Sequence, residues 1–111
     1  MTKTINATEI KTIDVNAKEW FDRVNGNSYF SARVTVNLGM EDERTIAVPF
    51  QYGYGSQYEY SAFAALQSNG IIPVQDGHPI PWRYYQDNKI IARHNMQTNC
   101  LKKNVKAWGI L

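Results

Sequence analysis

The side chains of this sequence that could bind a ligand are mainly tyrosines and lysines. Three tyrosines, Tyr52, Tyr54 and Tyr58, surround a glycine turn. Tyrosine and tryptophan are enriched at the centres of protein–protein interfaces. We therefore expect Tyr52, Tyr54 and Tyr58 to bind a protein partner. The competing interpretation is that these rings complete a small hydrophobic core.

Basic side chains are concentrated in the C-terminal part of the chain. Residues 81–111 carry a net charge of +5, whereas residues 1–80 carry −3. A basic segment can attract nucleic acid, or it can be a solvated surface. The alternative site is therefore a nucleic-acid-binding set that comprises Arg93, Lys102, Lys103, Lys106 and Trp108. If residues 101–108 form a strand, Lys102, Lys106 and Trp108 share one face, where lysines bind phosphates and the indole stacks on a base.

The sequence contains no arrangement typical of a catalytic or metal site. Cys100 and His94 are six residues apart, but a nucleophile needs a base within hydrogen-bond reach and a third group to orient that base. A lone intracellular cysteine more commonly behaves as a small buried hydrophobic residue. His78, His94 and Cys100 lack the paired spacing of metal ligands. We therefore predict a protein with no enzymatic activity, no metal and no cofactor.

Composition indicates one small globular domain that spans residues 1–111. The chain is 43% hydrophobic and 13% aromatic, which is enough for a core in a domain of common size. No segment has the roughly 18 consecutive apolar residues that a membrane span needs. The N-terminus lacks a signal-peptide pattern and Cys100 has no partner for an internal disulfide, so we expect a cytoplasmic protein that does not bind membranes.

The hydrophobic periodicity of the first half predicts a strand, a helix and a hairpin. Residues 9–15 alternate as a strand, and residues 16–19 form a capping box for a helix that ends at Asn25-Gly26. Alternation over residues 30–38 predicts a half-buried strand. Residues 44–52 are its expected partner strand, with Ile46, Val48, Phe50 and Tyr52 on one face. Pro49 restricts this partner to a sheet edge or a bulge.

The second half predicts two helices and two further strands. A second capping box at residues 56–59 begins a helix that ends at Asn69-Gly70, and residues 81–88 form a short helix. Residues 90–96 and 101–108 are the expected late strands. The resulting order is β-α-β-β-α-(α)-β-β. It predicts an α+β domain with an antiparallel sheet of four to five strands and two main helices on one face, which is compatible with a ferredoxin-like layout.

Part of this pattern resembles a known RNA-binding family. The turn Gly53-Tyr54-Gly55-Ser56, followed by an alanine-rich helix, resembles the C-terminal part of a double-stranded-RNA-binding domain. In that family the helix opens with lysines that contact phosphate. Gln57 and Tyr58 occupy the corresponding place here, so the resemblance does not extend to the phosphate-binding lysines.

Residues 22–29 and 52–55 make the chain similar to small orphan proteins of tailed bacteriophage genomes. That resemblance implies a phage-encoded protein whose partner is a host or phage macromolecule. Together with the tyrosine-rich turn, it predicts a small non-enzymatic interaction protein. The alternative is a nucleic-acid-binding module that uses the basic C-terminal segment.

Overall fold

The computed structural model describes residues 10–74 and 80–111, in which four strands and three helices form an α+β domain. In chain order these elements are β1 Thr12–Asp22, β2 Asn27–Val36, β3 Arg44–Tyr52, α1 Gln57–Ser68, α2 Pro81–Asp87, β4 Ile91–Gln97 and α3 Lys102–Trp108. The strands lie in the order β3-β2-β1-β4. β2 pairs antiparallel with β1 and β3, whereas β4 runs parallel to β1, so the sheet is mixed.

One face of the sheet carries the hydrophobic core. Alternate residues of β1 and β2 face each other in pairs on this side, and Val15 opposite Val34 is a fully buried example. Helices α1 and α2 cover this face. Their buried side chains include Tyr58, Ala62, Phe63 and Leu66 from α1, and Tyr84 and Tyr85 from α2. Because burial of these side chains supplies the main stabilising free energy, the two helices are fixed to this side of the sheet.

Helix α3 packs on the opposite face of the sheet. The Ser31 hydroxyl, which is buried on β2, donates a hydrogen bond to the carbonyl of Val105, and the Val105 side chain is itself fully buried. Gly109 follows the helix where the backbones nearly touch. A Cβ atom at this position would lie 2.9 Å from the backbone nitrogen of Phe50. The sheet is therefore covered on both sides, with the C-terminal segment on the more polar face.

Several sequence-based predictions are confirmed. β2 and β3 lie where alternation predicts strands, and α1, α2 and β4 agree with their expected ranges to within about two residues. Pro49 lies in β3, which is an edge strand. Two helices do cover one sheet face. Within the described residues, no helix is long and apolar enough to cross a membrane.

The helix expected after residue 16 is wrong, because β1 continues through that segment to Asp22. β1 lies between β2 and β4, and its register with β2 runs without a break from Ile13 to Asp22. Pairing with β2 to Asp22, and with β4 as far as Lys18, satisfies most of its backbone hydrogen bonds, and this outweighs the local helix signal. Glu9, the first residue of the predicted strand, lies outside the described residues.

The strand expected over residues 101–108 is also wrong, because this segment forms α3. The observed element order is therefore β-β-β-α-α-β-α. The sheet is mixed and not purely antiparallel, and a third helix lies on its second face. No helix separates β1 from β2, so the ferredoxin-like layout, which needs a helix after its first strand, is not confirmed.

Candidate functional site

Four aromatic side chains form a row across three strands on the sheet face opposite the core. They are Trp20 of β1, Tyr29 of β2, and Phe50 and Tyr52 of β3. Ring centroids are 5.5 Å apart for Trp20 and Tyr29, and 5.2 Å apart for Tyr29 and Phe50. Trp20 and Phe50 each stack on Tyr29, and their own rings are tilted by 33° with centroids 6.4 Å apart. The Tyr52 ring stands edge-on to Tyr29 at 76°. We call these four residues the aromatic row.

A register shift between β2 and β3 places Phe50 and Tyr52 in this row. Val48 lies opposite Ala32 on the core side, but beyond the irregularity Tyr52 lies opposite Tyr29. An extra residue in one strand reverses the faces of the residues that follow it. The expectation that Phe50 and Tyr52 share a face with Ile46 and Val48 is therefore wrong.

Two lysines of α3 lie over the aromatic row. The Lys102 ammonium is 5.1 Å from the centroid of the Trp20 ring, and the Lys106 ammonium is 5.7 Å from that of Phe50. Because these lysines are four residues apart on a helix, they project from the same side of α3. Lys103 is exposed on the same helix. The structure thus places two of the predicted basic residues, Lys102 and Lys106, beside aromatic side chains that the sequence patterns did not assign to a site.

The Trp108 side chain connects α3 to the sheet through a hydrogen bond and cation–π contacts. Its indole N–H donates a hydrogen bond of 2.7 Å to the carbonyl of Asn16. The Arg33 guanidinium lies 4.0 Å and the Lys18 ammonium 4.8 Å from its ring centroid. Arg33 also donates hydrogen bonds to the carbonyls of Trp108 and Ile110. Trp108 therefore has a packing role that leaves its ring less free to stack on a base.

Arg93 is already paired with a carboxylate. Its guanidinium donates two hydrogen bonds to Asp14, at 2.6 and 3.0 Å, and this pairing raises the pKa of Arg93. Its side chain lies on β4 and not on α3. Arg93 therefore adds less unpaired positive charge than the lysines of α3.

The three tyrosines of the predicted protein-binding site do not form one surface. Tyr52 belongs to the aromatic row and Tyr54 is exposed in the following turn, with 54% and 67% of their surfaces accessible. Tyr58 is only 8% exposed and packs in the core, where burial raises its pKa. Two other aromatic residues are exposed nearby on α1 and α2. Tyr60 and Trp82 line a small cavity of about 210 Å³.

A larger groove lies beside the aromatic row, where β1 extends past the end of β4. Its volume is about 580 Å³, and its lining includes Trp20, Phe21, Asp22, Cys100 and Leu101. The Cys100 backbone N–H donates a hydrogen bond to the carbonyl of Glu19. This bond holds the segment after β4 against β1 just beyond their last paired residues. A volume of this size is within the usual range of small-ligand sites.

Cys100 and His94 lie in different environments. The Cys100 thiol donates to the carbonyl of Gln97, 3.3 Å away. His94 faces the core between Tyr58 and Tyr85, with its Nδ1 atom 3.9 Å from Glu59. Among residues 10–74 and 80–111, no group of His, Cys, Asp or Glu side chains is arranged to hold a metal ion. His78 lies outside these ranges.

Sequence analysis missed Trp20, Tyr29 and Phe50 as candidate site residues. A usable signal was the alternation along residues 12–20, where polar Thr12, Asp14, Asn16 and Lys18 lead in steps of two to Trp20. Read as a strand, this segment places Trp20 on the polar face. The same residues also match a helical pattern, so they were assigned to a helix and not to a strand.

Comparison of the chain with protein-family models, curated proteins and solved structures gives no significant match.

Proposed function

We propose that this chain is a non-enzymatic binding protein and that its aromatic row, with the lysines of α3, binds single-stranded nucleic acid. The observation that carries this proposal is the position of the Lys102 and Lys106 ammonium groups, 5.1 and 5.7 Å from two rings of the row. Proteins that bind single strands combine positive charge along the backbone path with aromatic rings for the bases. The similarity to phage orphan proteins suggests a host or phage nucleic acid.

The rings of the row have different roles in this proposal. Trp20 and Phe50 both stack on Tyr29, so much of the surface of these three rings is used internally and the row is held rigid. Tyr52 is turned edge-on to Tyr29 and is more than half exposed. It is therefore the ring best placed to stack on a base. An unpaired base has a free face for such stacking, whereas a duplex base does not.

Charge on this side of the protein favours a polyanion. Lys102, Lys103 and Lys106 all project from α3 into solvent. Asp22 is a nearby opposing carboxylate, and its pKa is lowered mainly by a hydrogen bond from Asn25 and also by the charge of Lys102. Glu19 also lines the groove beside Trp20. Three ammonium groups against these two carboxylates leave a positive surface. The groove beside Trp20 provides space for a further nucleotide.

Binding of fluorescent oligothymidine and oligouridine, measured by anisotropy across a salt series, tests the role of the lysines. Each phosphate contact contributes about 0.7 to the slope of log K against log salt for a single strand. Replacing Lys102, Lys103 and Lys106 together by Gln should therefore lower the slope by about 2 and weaken binding. The control is Lys11→Gln. Lys11 is also exposed but lies about 30 Å along β1 from Trp20, so this change should leave the slope unaltered.

The role of stacking is tested by Tyr52→Ala. Loss of one base–aromatic stack weakens binding by about 1–3 kcal/mol. Tyr60→Ala is the matched control, because Tyr60 has the same 54% exposure but lies on α1. If the wild-type protein binds neither oligonucleotide at low salt, the proposed function is wrong. Equal losses from Tyr52→Ala and Tyr60→Ala would instead remove Tyr52 from the site.

A protein partner is the second candidate. The observation in its favour is the exposure of Tyr54, Tyr60 and Trp82, at 54–67% of their surfaces. Large exposed aromatic side chains commonly anchor protein interfaces. Binding of this kind should change little with salt, so a partner interaction that survives high salt and is lost in Tyr54→Ala would support this function over the first.

A further inference from the structure

The two edge strands of the sheet differ in how far they are open to pairing. β3 contains Pro49, which has no N–H to donate, and Gly109 after α3 packs closely against residues 49 and 50. Proline and a covering segment are common ways to block a sheet edge. β4 has seven residues without proline or glycine, and it pairs with β1 in an unbroken register. Within residues 10–74 and 80–111, neither proline nor a further strand protects the β4 edge.

The outward-facing backbone groups of β4 can be assigned from its pairing with β1. The Ile91 N–H donates to the carbonyl of Lys11. Because successive residues of a strand direct these groups to opposite sides, Ala92, His94 and Met96 direct theirs away from β1. No backbone partner for these three residues occurs in the part of the chain that the structure describes. An unpaired edge of this kind is a template for another strand.

We propose that β4 pairs antiparallel with β4 of a second copy of this chain, about a two-fold axis at His94. In this register Ala92 faces Met96 of the second copy and each His94 faces its equivalent. All three outward-facing residues then pair, which gives about six backbone hydrogen bonds across the interface. A two-fold contact requires that one surface complements itself, and this register meets that condition.

Side-chain chemistry favours this register and favours a second copy of the chain as the partner. Arg93 would lie opposite Asn95 of the second copy, whereas an axis at Arg93 would set two guanidinium groups against each other, which is unfavourable. On the core side, Ala92 and Met96 are partly buried and packed against the core. Facing each other across the axis, they would continue that apolar layer between the two copies.

Such pairing has a geometric consequence for the aromatic row. A two-fold axis perpendicular to the joined sheets keeps equivalent faces on the same side. The two rows and their α3 lysines would therefore lie on one side of a continuous eight-stranded sheet. The dimer does not depend on the proposed nucleic-acid binding, and it is measured without any ligand.

Sedimentation equilibrium over a range of protein concentrations tests the dimer. The mass of the wild-type chain should rise from 12.7 kDa towards twice that value. Asn95 is exposed, so its substitution should leave the fold intact. Asn95→Arg would oppose Arg93 of the second copy twice per dimer and should weaken association by about 5- to 30-fold. Asn95→Asp is the matched opposite change and should strengthen association.

A second variant tests the backbone pairing directly. Ala92→Pro removes an N–H that points away from β1 and places the proline ring at the pairing edge. It should therefore abolish association and keep the β1–β4 pairing, as checked by circular dichroism. A wild-type chain that stays at 12.7 kDa up to its solubility limit would overturn the proposal. So would a dimer whose strength is the same in Asn95→Arg and Asn95→Asp.

Discussion

Removing the Trp108 side chain should release α3 from the sheet without unfolding the rest of the protein. α3 has seven residues, and isolated helices shorter than about 12–15 residues are marginal in water. Its structure therefore depends on docking. Trp108→Ala deletes the indole that joins the helix to β1 and to the two cations beside it.

The expected loss can be worked out from the contacts of this side chain. The hydrogen bond to the Asn16 carbonyl contributes about 1 kcal/mol. The contacts with Arg33 and Lys18 add about 0.5–1 kcal/mol each. The docking free energy of α3 should thus fall by about 2–3 kcal/mol, which is on the order of 100-fold in the docking equilibrium.

Hydrogen exchange measured by mass spectrometry reports this equilibrium. Amides of residues 102–109 should exchange on the order of 100-fold faster in Trp108→Ala, while β1 and β2 keep their protection. Trp108→Phe keeps a ring but loses the hydrogen bond, and should show an intermediate increase. Trp82→Ala is the control, because Trp82 is 58% exposed and lies on α2.

Two results would refute this reasoning. One is unchanged exchange in residues 102–109 of Trp108→Ala, which would mean that Val105 and the Ser31 hydrogen bond hold α3 alone. The other is an equal effect of Trp82→Ala on this segment. If the proposed function is correct, Trp108→Ala should also weaken oligonucleotide binding, since Lys102 and Lys106 lose their fixed position.

Three further predictions concern the side chains of Val34, His94 and Cys100. Val34 is fully buried, so Val34→Asp should prevent folding or cause aggregation, whereas Thr45→Asp on the opposite face should lower the urea midpoint only slightly. Burial lowers the pKa of His94 below its ordinary value of 6.5, although the charge of Glu59 opposes this shift. The unfolded chain therefore binds the proton more readily than the folded chain, and the free energy of unfolding should fall as the pH falls below about 6.5. His94→Gln should reduce this pH dependence, as measured by urea titrations. Cys100→Ser keeps a small side chain in the lining of the groove, so it should leave oligonucleotide affinity nearly unchanged, with the fold checked by circular dichroism.

Much of the fold could be predicted because local patterns and tertiary pairing agree there. Residues 30–36 alternate with a period of two, and β2 lies in the sheet interior with one buried face. The Asn69-Gly70 signal ends α1 as expected, with Gly70 in the left-handed region. Pro49 restricted β3 to an edge because the missing N–H is tolerated where no strand pairs.

Two segments were assigned wrongly because their sequences fit both periods. In residues 13–24, Ile13, Val15 and Ala17 alternate as in a strand, while Ala17, Trp20 and Val24 also lie on one helical face. Pairing with β2 as far as Asp22 and with β4 as far as Lys18 decided for the strand. In residues 101–108, pattern alone did not distinguish a strand from a helix, and packing of Val105 and Trp108 on the sheet decided for the helix.

The sequence by itself determined the ingredients of the candidate site: a basic C-terminal segment, an excess of aromatic residues and no arrangement of catalytic groups. Tertiary structure alone decided which of them meet. Trp20, Tyr29 and Tyr52 lie on three different strands, and the pairing registers align them. The register shift in β3 turns Phe50 away from the core, and docking of α3 brings Lys102 and Lys106 over the rings. Such contacts join residues far apart in the chain, so their free energy does not depend on the local sequence that periodicity describes.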